Sequence, residues 1–486
     1  MSIPNRLKNQ HLLWRAGFGP MAENIADLDT LSQKTLWATL INTSAETPRK
    51  IDIAKNPLTD SAYMNLDGTP MNPANLDKDQ KKMLIRQYKE DLKDMNIAWL
   101  NMMIGSKAQL REKMSFFWHG HFACRSRNGF FAQELVNIIR ENAMGNFGDM
   151  LRAVSKSPAM LQFLNNQQNR KGHPNENFAR EVMELFTLGR GNYTEKDVKE
   201  GARSFTGWSF EKSGTFTFRA GTHDDGEKNF LGQTGNFNGD DILTILLKNP
   251  QTANFITKKI YRYFVNEKTD DAKVQWLSNR FYKNNYDIQK LLGDIFTADW
   301  FYESKNIGTK IKSPVELLVG IRRYLPLTFD NDDAQLLFQK VLGQILFYPP
   351  NVAGWPGGRN WIDSSTLMVR LQIPQVLSSK DSMDIRPKTD DDMNTGMTEE
   401  KRVKLGKKAA FSTAGASADI DWPVVNKIFE NTARPELSHS IINSLLQTSG
   451  RIDTGILATY LNNESRESFI KSAVINVMST PEYQLC

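Results

Sequence analysis

The stretch Gln109-Leu110-Arg111-Glu112-Lys113-Met114-Ser115-Phe116-Phe117-Trp118 sets Leu110, Met114 and Phe117 at the spacing of one helical face. Leu135, Ile138 and Ile139 repeat that period in the following segment, so the pattern predicts a mainly α-helical body with many helices of ordinary length. Helix starts are written into the chain as well. Ser313-Pro314-Val315-Glu316 combines a capping box with proline at the first helical position, Ser157-Pro158 and Thr480-Pro481 repeat the Ser/Thr-Pro start, and Thr194-Glu195-Lys196-Asp197 is a further cap. Strand signals are local: Thr215-Phe216-Thr217-Phe218 alternates, and Lys212-Ser213-Gly214 can turn it back on Trp208-Ser209-Phe210. The expected architecture is a large multi-helical domain over 1–377 with a small β-hairpin insertion around 207–232. A Lys-, Asp-, Thr-, Ser- and Gly-rich linker over 378–421 follows, then a small helical segment over 422–486.

Composition narrows the partners. Across 486 residues, Lys plus Arg number 61 and Asp plus Glu 55, and this bias of +6 is spread along the chain. Without a basic stripe or tail, nucleic acid is not an expected partner. Cys124 and Cys486 are the whole cysteine complement, which rules out a disulfide framework and any Cys-x-x-Cys site. Cys124 reads as a buried, inert thiol. No run reaches the roughly 18 apolar residues of a membrane span, and Met1-Ser-Ile-Pro-Asn-Arg6 lacks an apolar leader. The expectation is a cytoplasmic protein, or a periplasmic or exported one if a leader was removed.

Chemistry-bearing residues concentrate in the middle. Of six histidines, His119 and His121 lie just after Trp118, His223 follows the predicted hairpin, and Glu176, Arg180, Glu181 and Glu184 fall between them. At 100° per residue, Glu176, Asn177, Arg180, Glu181 and Glu184 share one arc of a helix that begins after His173-Pro174-Asn175 and stops at Gly189. That strip has two readings: a solvated face of i,i+4 ion pairs, or the lining of an enclosed cleft. His119 and His121 diverge on a regular helix but can converge if Gly120 bends the chain. Joined by His223 from its polar loop, they would form a His/carboxylate site suited to zinc or iron. On that expectation Glu181 or Glu184 completes the site, the other acts as base, Arg180 orients an anionic substrate, and Glu176 and Asn175 bind it. The reaction first expected is metal-assisted hydrolysis. The loop Phe347 to Trp361, with Pro349-Pro350 and Gly357-Gly358, forbids regular structure and presents Tyr348, Trp355 and Trp361. It is either a surface that stacks a ring, with Arg359 holding an anion, or a rigid plug. The competing class is a non-enzymatic assembly or glycan-binding protein whose central charges form a buried structural network.

Several motifs in order resemble one known family. His11-Leu-Leu-Trp-Arg-Ala-Gly-Phe-Gly19, Phe117-Trp-His-Gly-His-Phe122, Asn175-Glu-Asn-Phe-Ala-Arg-Glu-Val-Met-Glu-Leu-Phe-Thr-Leu-Gly189, Phe205-Thr-Gly-Trp208, His223-Asp224, Lys312-Ser-Pro-Val-Glu-Leu317 and Pro349-Pro-Asn-Val-Ala-Gly-Trp-Pro-Gly-Gly358 resemble the bacterial family called domain of unknown function 1800, as does Thr480-Pro-Glu-Tyr-Gln484. The resemblance carries no settled activity. It implies that the same histidines and the same helix matter, and it points to a co-encoded alkaline-phosphatase-like protein as a partner.

Overall fold

The computed structural model describes residues 3–56, 77–379, 384–385, 411–412 and 416–486. Among the described residues, sixteen helices make up the body: α1 (Asn5–Ala16), α2 (Gln33–Ala45), α3 (Lys78–Gly105), α4 (Gln109–His121), α5 (Gly129–Asn142), α6 (Phe147–Ser155), α7 (Pro158–Phe163), α8 (Asn177–Glu181), α9 (Glu195–Ser204), α10 (Gly239–Lys248), α11 (Pro250–Phe264), α12 (Asp271–Lys283), α13 (Ile288–Phe296), α14 (Pro314–Tyr324), α15 (Asp333–Val341) and α16 (Ser364–Ser378). Four more, α17 (Trp422–Ile428), α18 (Leu437–Leu445), α19 (Thr454–Ala458) and α20 (Arg466–Met478), complete the C-terminal part. The caps form as read: Ser313 and Thr194 make capping boxes, and Ser157 accepts from the Met160 amide ahead of Pro158.

Small antiparallel hairpins interrupt the helices. β1 (Trp208–Phe210) pairs with β2 (Phe216–Phe218), and β3 (Lys228–Phe230) pairs with β4 (Gln233–Gly235). The chain is therefore mainly α with local β excursions, and the insertion reaches slightly beyond its expected end.

The tertiary organisation differs from a body plus a tail. One large core gathers side chains from α1, α2 and α4–α13 around Trp118, Phe122 and Phe147. A second joins α14–α16 to the C-terminal helices through Leu317, Ile321, Phe338, Ile373, Ile441 and Val474. β5 (Leu327–Phe329) pairs with residues 418–420, and Ile311 bridges Leu485. The segment 422–486 thus shares its core with 317–377. Of the expected linker, 380–383, 386–410 and 413–415 lie outside the described residues. Its described part is not all linker: Asp384–Ile385 pairs with Phe411–Ser412, and Ala418–Ile420 is the strand that meets β5.

Helix α4 runs through the centre and is buried from Gln109 to His119 and again at His121. A helix enclosed on every side must pair its polar groups internally. Arg111 caps the carbonyls of Ser44 and Arg140, and Glu112 accepts from Trp99 Nε1 at 2.9 Å and from Arg140. Lys113 reaches Glu316 at 2.5 Å. Sequence periodicity saw only one apolar face here, because these charges are masked by partners distant in the chain.

Candidate functional site

The three histidines expected at one ion occupy three separate settings. Helix α4 continues through Gly120 to His121 without a bend, so side chains two residues apart point away from each other. His119 lies against Trp99, Phe347 and Trp355, and its Nε2 accepts the Phe347 amide at 3.2 Å. Burial pushes its pKa down to about 3, so it is a neutral acceptor. His121 packs against Trp118, Phe122 and Phe186, and its Nδ1 accepts from Lys259 Nζ at 2.9 Å. Burial, then the Lys259 charge, holds it well below the usual imidazole range. His223 donates from Nδ1 to the Thr206 carbonyl at 2.8 Å beside Phe218. Among the described residues, no three His, Cys, Asp or Glu groups are gathered as ion ligands.

The charged strip faces outward. Arg180 forks onto Glu195 at 2.7 and 2.8 Å and also meets Glu176 at 3.3 Å; its side chain is 33% exposed and those of Glu176 and Glu195 are 38% and 68% exposed. The hydrogen bonds it donates to Glu195 raise the Arg180 pKa further. Asn175 Oδ1 accepts the Asn177 amide at 3.0 Å, and Glu184 accepts from the Tyr193 hydroxyl. Glu181, half buried, has its pKa raised by desolvation and then by Glu184. The start of the strip borders an open depression of about 640 Å³, not an enclosed cleft. The backbone explains part of the difference: after Glu181 the chain enters a π-helical turn, Val182–Thr187, where Leu188 N–H reaches back to Met183 O. The 100° arc does not extend through that wider turn.

A half-open pocket of about 290 Å³ lies elsewhere, between the C-terminal end of α4, helix α11 and the loop that carries the tryptophans. Its floor comes from α11, where Lys259, Arg262 and Tyr263 stand at i, i+3 and i+4 and so share a face. Lys310 enters from the turn before α14, 3.9 Å above the Tyr263 ring, and contacts Glu316 at 2.7 Å. Glu316 therefore holds two ammonium groups, Lys113 and Lys310. Burial favours its neutral form, but the two charges outweigh that and keep its pKa far below the usual carboxylate range. Lys259 differs: among the described residues its amine meets the neutral His121 ring and stands over the Phe255 ring, with no carboxylate beside it, and burial lowers its pKa to about 8. Lys259, Arg262 and Lys310 against Glu267 and the doubly paired Glu316 leave the cavity wall cationic.

The roof is Trp355, Pro356, Gly357, Gly358 and Trp361. Phe347 starts this loop at φ +68, a conformation a bulky residue adopts only when held, and the hydrogen bond to His119 holds it. Gly354, at φ +81, sits so close to α4 that a Cβ would meet Gly120 O at 2.5 Å. Gly358 lies against the carboxylate end of the exposed Glu267 side chain. Gly120 itself lines the cavity, and a Cβ there would meet nothing within 4 Å. Of the expected binding residues, Trp355 and Trp361 line the cavity, whereas Arg359 is exposed and outside it. Lys259, Arg262, Tyr263 and Lys310 were not anticipated. The Ser313 capping box was the one local signal near them. Cys124 is buried, and desolvation pushes its thiol pKa up.

A family model described as "Protein of unknown function (DUF1800)" matches residues 11–485, nearly the whole chain. No curated protein and no solved structure matches it. Among the described residues, no helix is long and apolar enough to cross a membrane.

Proposed function

The chain belongs to the DUF1800 family of proteins of unknown function, and we propose that it binds a small organic anion in the cavity beneath the Trp355–Trp361 loop. The observation that carries this reading is Lys259, a part-buried ammonium at the pocket wall with no carboxylate partner among the described residues. An uncompensated buried cation is costly, and an incoming anion offsets that cost. Arg262 and Lys310 add charge on the same wall, while Trp355 offers an apolar surface to a ring or short chain. The ligand class is a small carboxylic acid with an apolar or ring-bearing part, within the 290 Å³ available. Hydrolysis at a zinc or iron centre draws no support from this arrangement, since His119, His121 and His223 have separate neighbours.

Titration with acetate and with benzoate, followed by tryptophan fluorescence at low ionic strength, tests the reading. Saturable quenching is expected in the wild-type chain, with benzoate the tighter of the two. The Gly120→Leu variant places its side chain in the open cavity and should lose the response with its fold intact. Equal binding by wild type and Gly120→Leu would overturn the assignment.

A further inference from the structure

We propose that Lys259 forms a reversible imine with a small ligand carrying both a carbonyl and a carboxylate, such as a 2-oxo acid. The inference rests on the anion-binding reading above and adds the chemistry of one atom. Three observations support it. Lys259 lines the pocket, and its amine hydrogen-bonds to an uncharged imidazole nitrogen of His121, which lines it too; among the described residues no carboxylate ties the amine up. Desolvation in the low-dielectric interior lowers its pKa to about 8, which makes the nucleophilic free amine accessible near neutrality. Arg262, one helical turn along the same face of α11, and Lys310 line the same pocket and supply cations for a carboxylate while the adjacent carbonyl meets Lys259.

The step balances without an oxidant or reductant. Lys259, having released one proton to solvent, adds its nitrogen lone pair to the carbonyl carbon, and the C=O π pair moves to oxygen. The carbinolamine loses that oxygen as water while the C=N bond forms, and both remaining amine protons leave with the water. Lysines 113, 310 and 312 are poorer nucleophiles: the first two are tied to Glu316, and Lys312 is clamped between Trp14 and Tyr483 with its amine on the Tyr483 carbonyl.

Borohydride trapping tests the proposal. The full chain is incubated with pyruvate or glyoxylate, reduced, and analysed by intact mass and peptide mapping. The expected product is one adduct per chain, weighing one ligand less one oxygen, on Lys259. Labelling there should exceed the mean of the other lysines by about tenfold or more, and excess acetate should suppress it. Lys259→Met and Gly120→Leu should both lose the site-specific label. Because Gly120→Leu keeps the amine, its failure to react locates the chemistry in the cavity. If benzoate quenches fluorescence but Lys259 labels no faster than surface lysines, or the adduct maps to Lys310, the imine is wrong and the anion pocket stands. If neither acid binds nor label forms, both readings fall together.

Discussion

Glu316 and Lys259 show how one stretch of interior treats charge in opposite ways. Glu316 is 1% exposed and carries two lysines, so replacing it by glutamine leaves Lys113 buried without a counter-charge. Glu316→Gln should cost about 3–5 kcal/mol in urea unfolding. A loss under about 1 kcal/mol would mean that the pair is not buried as described. The lowered carboxyl pKa also has a sign: its contribution is present above the unfolded value near 4.3 and is lost as pH falls below it. Lys259 works the other way. Its folded pKa of about 8 lies below an unfolded value of about 10.4, so between them the unfolded chain binds more protons and stability rises with pH. Urea midpoints measured at about pH 7.5 and 9.5 should rise for wild type, and the rise should shrink in Lys259→Met. Sequence made the tryptophans of the roof visible because an aromatic cluster between prolines and glycines has few bland explanations. It hid Lys259, which sits between Ile256 and Ile260 on a helix whose enclosure depends on partners far along the chain.

At the level of elements, the site is made by docking a loop on a helix. Gly354 allows the loop to lie on the Gly120 carbonyl, and its left-handed backbone suits glycine alone. Gly354→Ala should lift the loop: tryptophan emission shifts to longer wavelength, protease cuts within 349–361, and benzoate affinity falls while the helical signal persists. Unchanged proteolysis and affinity would show that the loop does not depend on this approach. The expectation that His119 and His121 converge failed at this scale, because α4 runs unbroken through Gly120 and side chains two residues apart on a helix diverge. The acidic strip, open between an outer face and a cleft lining, takes the ion-paired outer face at Glu176 and Arg180. Its arc assumed a regular α-helix, and the π turn from Val182 alters the register that brings Glu184 to Tyr193. The capping boxes and the first hairpin were legible since each is set by neighbours within a few residues.

Over the whole molecule, the helical class followed from local periodicity, but its division into parts did not. Residues 422–486 look like a separate bundle in sequence because a polar stretch precedes them, yet their apolar side chains meet α14–α16 in one core. A chain truncated after residue 421 should therefore lose cooperative melting, with exposed surface from Leu317 to Ile373 driving aggregation. Retention of a sharp transition would indicate two independent units. The same long-range assembly brings Lys310 and Glu316, from the edge of the second core, to Lys259 and Arg262 on the first.

Crystals grown with 4-bromobenzoate give the most direct test of the cationic cavity, because bromine marks the ligand by anomalous scattering. The structure predicts a peak beneath Trp355, with the carboxylate turned to Arg262, Lys310 and Lys259. Bromine found only at the surface, with the cavity unfilled at saturating ligand, would contradict it.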